Sequence, residues 1–95
     1  MIPKDAIKSK IDELEEEILS LHFKSPDDFS HILIIKFQRE ALQSCIDRNK
    51  EELELILAEN VGHILNDKII GMDGIFTMMR WFTINAQIKQ VLEIK

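Results

Sequence analysis

A long apolar segment near the end of the chain most constrains how it can fold. From Ile69 to Ile84 the residues run Ile-Ile-Gly-Met-Asp-Gly-Ile-Phe-Thr-Met-Met-Arg-Trp-Phe-Thr-Ile, and only Asp73 and Arg80 carry a charge. A segment that is apolar on most sides must be covered by a core, a partner or a lipid. Because a chain of 95 residues has little surface to spare for this cover, we expect it to associate with another protein or with itself.

The composition favours helices. Apolar residues make up 45% of the chain and charged residues 31%, so the chain should fold rather than stay disordered. Three Gly, two Pro and no Tyr argue against an all-β fold, which needs frequent turns and aromatic strands. We predict a single domain over residues 1–95, an all-α antiparallel bundle of three to four helices that self-associates.

The first helix has the clearest pattern. Its apolar residues follow the 4-3-4-3 spacing of a bundle or coiled-coil seam, at Ile7, Ile11, Leu14, Ile18 and Leu21. Acidic residues fill the positions between, and we expect them to form a solvated face, at Asp12, Glu13, Glu15, Glu16 and Glu17. The seam spans only about three heptads, too short for a long coiled coil.

Two short segments predict helix boundaries. In Ser25-Pro26-Asp27-Asp28, Ser25 can cap a helix, Pro26 suits its first position, and Asp28 can complete a capping box. In Gly71-Met72-Asp73-Gly74, Gly71 can end one helix and Asp73 can cap the next. The predicted helices cover approximately residues 4–23, 26–47, 50–67 and 74–93. The second helix, apolar in most directions from Ile32 to Ile35, should be central in the bundle.

The polar run from Asp47 to Glu52 has two interpretations. It is either the solvated middle of one long helix or a break that recaps at Asn49, with Glu52 as the reciprocal partner. We favour the break, because a helix from residue 26 to 67 would be unusually long. The third helix is then predicted to bury one apolar face, formed by Leu53, Ile56, Leu57, Val61, Ile64 and Leu65.

The net charge and the cysteine content limit the kinds of partner and the cellular location that we expect. The net charge is −5, and the twelve basic residues are scattered along the sequence, so nucleic acid and acidic membranes are disfavoured. No run reaches the ~18–20 apolar residues of a membrane span, so we expect no membrane association. The single Cys45 flanks an apolar stripe and should be a buried small hydrophobe. With no signal peptide, we predict a reducing, cytoplasmic location.

The sequence offers little catalytic chemistry. Asp28 with His31, and Glu59 with His63, have helical spacings that can chelate a metal, but such spacings arise readily by chance in a chain with 17 acidic residues. The two Glu-x-x-His motifs of a di-metal bundle are missing. No serine lies in a nucleophile elbow, and no phosphate-loop signature is present. We therefore predict no enzyme activity, no cofactor and no metal site.

The last helix supplies the predicted binding surface. Aromatic residues, Met and Arg are enriched in protein interfaces, and we predict partner contacts at Met72, Ile75, Phe76, Met78, Met79, Trp81 and Phe82. Trp81 could instead fill the core, with Arg80 reaching the surface. The predicted function is a non-enzymatic protein–protein interaction module, such as an adaptor, assembly chaperone or acidic inhibitor. The alternatives are a nucleic-acid-associated helical regulator and a metal-binding helical bundle.

Overall fold

The computed structural model of the chain describes residues 1–24, 29–69 and 74–93, except for the side chains at 23, 24, 29, 67–69, 75 and 76. These residues form four helices and no strand: α1 (Lys4–Lys24), α2 (Phe29–Cys45), α3 (Lys50–Ile69) and α4 (Ile75–Leu92). The predicted all-α bundle is confirmed. The predicted caps at Ser25–Asp28 and Gly71–Asp73 lie outside the described residues.

Three helices enclose the core, and α3 is added at one side. The main pairings join α1 to α2, α2 to α4, and α3 to α4. The buried core side chains come mostly from α1, α2 and α4, which we call the three-helix core, and α3 adds Leu53. As predicted, α2 is central, since it packs on both α1 and α4.

The polar run between α2 and α3 is a break. Asp47 has φ 63°, a left-handed conformation that ends the helical path after Cys45. The Glu52 amide then donates to Asn49 Oδ1 at 2.8 Å, and the Asn49 amide donates to Glu52 Oε1 at 3.5 Å. This reciprocal capping box is the one that the sequence predicts. The helix α3 begins at Lys50, directly after Asn49.

The seam of α1 faces the core as predicted. Ile7, Ile11 and Leu14 are buried, and Ile18 and Leu21 pack partly buried against the same cluster. The acidic residues between seam positions are all exposed, which confirms the solvated face.

The start of α1 is fastened to the far ends of α2 and α4. The Ile2 amide donates to the Val91 carbonyl at 2.8 Å, and the terminal ammonium lies 3.3 Å from Glu93. Lys4 donates a hydrogen bond to Asp47, just beyond α2. This hydrogen bond lowers the pKa of Asp47, and the positive charge of Lys4 lowers it further by a smaller amount. Because the start of α1 meets the ends of α2 and α4, it runs antiparallel to both.

The outer side of α3 corrects one prediction. Val61 and Leu65 were expected on the buried face of this helix, but they are 49% and 57% exposed. The reason is the position of α3 at the side of the bundle, where its main neighbour is α4 and only one face is covered. Leu53, Ile56, Leu57 and Ile64 do occupy the inner side.

The bundle is flat and exposes much surface for its size. Its extents are 38 × 35 × 21 Å, and its radius of gyration is 14.2 Å, against about 12.4 Å for an ordinary domain of this length. Its accessible surface is 6368 Å², about 700 Å² more than a typical monomer of 11.1 kDa. The side placement of α3 fits both departures, since it leaves a whole helix face without a neighbour.

Candidate partner-binding surfaces

The predicted binding residues of α4 fall into three groups. Phe82 is 55% exposed, and Met78 and Met79 are half-buried. We call these three residues the α4 patch. Trp81 is half-buried against the core. Met72 lies outside the described residues, as do the side chains of Ile75 and Phe76.

Trp81 is held in place by groups from two helices. Its ring stacks on His63 of α3, with centroids 5.0 Å apart and planes inclined by 24°. The Arg80 guanidinium carbon lies 4.8 Å from the centre of the same ring, a cation–π distance. Arg80 also donates to Glu40 of α2 at 2.5 Å. Trp81 therefore packs partly against the core, and Arg80 links α4 to α2.

A buried amide pair joins α3 to α4. Asn60 Nδ2 donates to Asn85 Oδ1 at 2.8 Å, and Asn85 Nδ2 reaches the Leu57 carbonyl at 3.5 Å. Both side chains are buried, so an altered register would leave them without partners. The pair therefore fixes how α3 lies on α4. The sequence analysis did not find it, because single asparagines inside helices carry no local signature.

A second apolar surface lies along the outer side of α3. It consists of Leu55, Ala58, Val61, Gly62 and Leu65, and we call it the α3 stripe. All five residues are exposed, with Leu55 at 65%. Sequence analysis missed this surface because it assigned Val61 and Leu65 to the buried face. The signal that could have found it is a second set of apolar and small residues spaced 3-4-3 along the helix, at positions 55, 58, 62 and 65.

His31 and His63, the histidines of the suggested chelating pairs, each contact another residue. His31 Nε2 lies 3.8 Å from Glu17 of α1, and His63 stacks on Trp81. Asp28 lies outside the described residues. Within the part of the chain that the structure describes, no group of three or more His, Cys, Asp or Glu side chains could hold a metal ion.

Cys45 is buried in the three-helix core. Its side chain is only 1% exposed, as expected for a small hydrophobe. Burial raises the pKa of its thiol from 9.0 to about 11, and the opposing effects of Arg48 and Ser44 are smaller. The thiol therefore stays protonated at neutral pH and is a poor nucleophile.

A small open cavity lies where α1, α2 and α4 meet. Its volume is about 250 Å³, and most of its lining is apolar, from Ile2, Ile7, Leu42 and Val91. Lys10, Gln87 and Gln90 also contribute to the lining. Ligand sites are usually larger, about 300–1,000 Å³, and hold several convergent polar groups. The exposed apolar surfaces of α3 and α4 are therefore the stronger candidates for binding.

No protein-family model, curated protein or solved structure matches this chain. Among the described helices, none combines the length and apolarity that a membrane crossing requires.

Proposed function

We propose that the chain is a non-enzymatic protein–protein interaction module, and that another polypeptide covers the α4 patch. The observation that carries this proposal is Phe82, a large aromatic side chain 55% exposed beside the half-buried Met78 and Met79. Aromatic residues and Met are enriched in protein interfaces. An aromatic side chain has only two χ angles, so it buries much area with little loss of conformational entropy. The partner is a second copy of the chain or a different protein.

The support beneath the patch makes it suitable for binding. Trp81 stacks on His63 of α3 and Arg80 pairs with Glu40 of α2, so the segment just before Phe82 contacts both of these helices. A surface that is already ordered loses less entropy when a partner binds. An adaptor, an assembly chaperone or an acidic inhibitor could each use such a surface.

The charge arrangement favours a protein partner over nucleic acid. Lys4, Lys10, Lys50 and Arg80 each lie within 4.0 Å of a carboxylate of the chain itself. Phosphate binding would have to compete with these internal pairs and with a net charge of −5. Binding at the α4 patch should accordingly depend only weakly on salt.

A photo-cross-linking residue placed at position 82 tests the proposal directly. The full-length chain with benzoylphenylalanine at 82 is expressed in its native cells, irradiated, and examined for covalent adducts by mass spectrometry. The matched control carries the same residue at Gln43, an exposed position on α2. We expect a strong light-dependent adduct from position 82 and little from position 43.

The adduct also identifies the partner. A product of twice the chain mass that contains only peptides of this protein means self-association through α4, and any other recurrent product names a different protein. Equal or absent labelling at positions 82 and 43 would contradict the proposal. Phe82→Asp, with Gln43→Asp as its control, should abolish the same complex in a pull-down.

A further inference from the structure

Four residues of the α3 stripe are spaced symmetrically along the helix. Leu55 and Leu65 lie at its ends, with Ala58 and Gly62 between them, spaced 3-4-3. The pattern is symmetric about Asn60, which itself faces inward to Asn85. In a two-fold interface, residue i of each chain contacts residue j of the other, so a symmetric spacing pairs residues of similar size. An antiparallel pair of α3 helices centred at residue 60 places each leucine opposite the partner's other leucine.

Small residues at the centre let two helices approach closely. Ala58 is exposed, and a Cβ placed on Gly62 would meet nothing within 4 Å. The fold itself therefore gives no steric reason for glycine here, although glycine costs a helix about 1 kcal/mol relative to alanine. Across an antiparallel pair, Ala58 would meet the partner's Gly62, which permits close interaxial contact.

The charges in the first turns of α3 favour the antiparallel orientation. Three glutamates lie in the first turns of α3, at Glu51, Glu52 and Glu54, and all three are exposed. A parallel pair would align each of them with its own copy, and facing like charges destabilise a pair. In the antiparallel pair Glu54 lies opposite Asn66, and residues 61–66 include no acidic side chain. The helix dipoles also oppose each other in this arrangement.

The surplus surface of the whole chain is close to the area that one partner buries in a dimer. The chain exposes about 700 Å² more than a typical monomer of its mass, and a standard interface buries about 800 Å² on each partner. The stripe is continuous along about three turns of one helix, from Leu55 to Leu65.

We propose that the α3 stripe is a homodimer seam, in which a second copy of this chain packs α3 antiparallel to α3 about a two-fold axis near Asn60. The seam extends the proposed interaction function, because it identifies a second copy of the chain as a partner and the α3 stripe as a second binding surface. It rests on self-association, but it does not need the α4 patch.

Disulfide trapping between two single variants tests the geometry. Full-length Ala58→Cys and full-length Gly62→Cys, carrying different tags, are mixed, allowed to exchange subunits and oxidised mildly. An antiparallel seam predicts that mixed 58–62 disulfides exceed the 58–58 and 62–62 products at least fivefold. The native Cys45 does not compete, because it is buried. Gln43→Cys, exposed on α2, serves as the control and should cross-link only at background level.

Each outcome bears on the seam. A predominance of same-position disulfides would overturn the antiparallel arrangement, and background cross-linking at both positions would overturn the seam. Leu65→Glu provides a second measurement, since it changes an exposed residue and should leave the fold intact while lowering the dimer mass to that of one chain. The seam is also contradicted if Leu65→Glu keeps the wild-type mass. If these tests fail while position 82 still forms its adduct, the proposed function stands without the seam.

Discussion

The three-helix core and α3 differ in the side chains that they leave exposed. In the core, isoleucines, leucines and Val91 turn inward, and the acidic residues of α1 turn outward. On α3, an asparagine is buried against α4 while Leu55, Val61 and Leu65 remain exposed. The contrast shows that, among the described residues, no other helix of this chain covers the outer face of α3. That face is free to serve another chain.

The largest expected effect comes from replacing a leucine by alanine in the three-helix core, compared with the same replacement on the outer side of α3. Leu42→Ala should lower the free energy of unfolding by about 2–5 kcal/mol, because Leu42 is fully buried in the three-helix core. Leu55→Ala, in protein diluted until it is monomeric, should change it by less than about 0.5 kcal/mol. Urea unfolding followed by circular dichroism measures both. Equal losses would mean that α3 is as enclosed as the core.

The second effect tests how completely the fold excludes water from the core around Cys45. Because folding raises the pKa of this thiol from 9.0 to about 11, the folded state holds its proton more tightly than the unfolded state. The contribution of the protonated thiol to the free energy of unfolding is complete below pH 9. It is lost as the pH rises towards 11, at about 1.4 kcal/mol per pH unit. Cys45→Ala should lack this decline. Parallel pH profiles for the two proteins would contradict the buried thiol.

The third effect tests the polar contact of α3. Asn60→Leu leaves the Asn85 carbonyl oxygen without its donor, so it should cost about 1–3 kcal/mol. The double variant Asn60→Leu/Asn85→Leu removes both polar groups and should recover most of that loss. If the double variant is instead as unstable as the sum of the singles, the two amides do not act as a pair.

The smallest effect concerns the open centre of the α3 stripe. Gly62→Ala should raise the free energy of unfolding of the monomer by about 0.5–1 kcal/mol, since alanine favours the helix and its Cβ meets nothing within 4 Å. Thermal unfolding at low concentration checks this prediction. A destabilised monomer would show that something of the same chain covers position 62.

Local patterns allowed much of the core to be predicted. In the seam of α1, acidic residues occupy every position between Ile11, Leu14 and Ile18, so only one side of that stretch can face inward. The break before α3 depends on residues within three positions of each other, and Asn49 and Glu52 form the predicted capping box. Such short-range signals do not depend on where the other helices lie.

The orientation of α3 could not be predicted in the same way. Apolar residues occupy both of its sides, with Leu53 and Ile64 inside and Leu55 and Leu65 outside. The choice between the sides follows from contacts with a helix 25 residues further along the chain, through Asn60 and Asn85. The pattern therefore predicted the excess apolar surface around α4 and not on α3, and the α3 stripe emerged only from the packing.

The central claim is that this chain leaves more apolar surface exposed than one copy can cover, so that a second chain covers the rest. Sedimentation equilibrium of the purified wild-type chain over a hundredfold range of concentration tests it most directly. We predict a mass that rises from 11.1 kDa to at least twice that value as the concentration increases, with Leu65→Glu remaining near one chain mass throughout. A wild-type mass of one chain at every concentration, together with no adduct at position 82 in cells, would contradict the account.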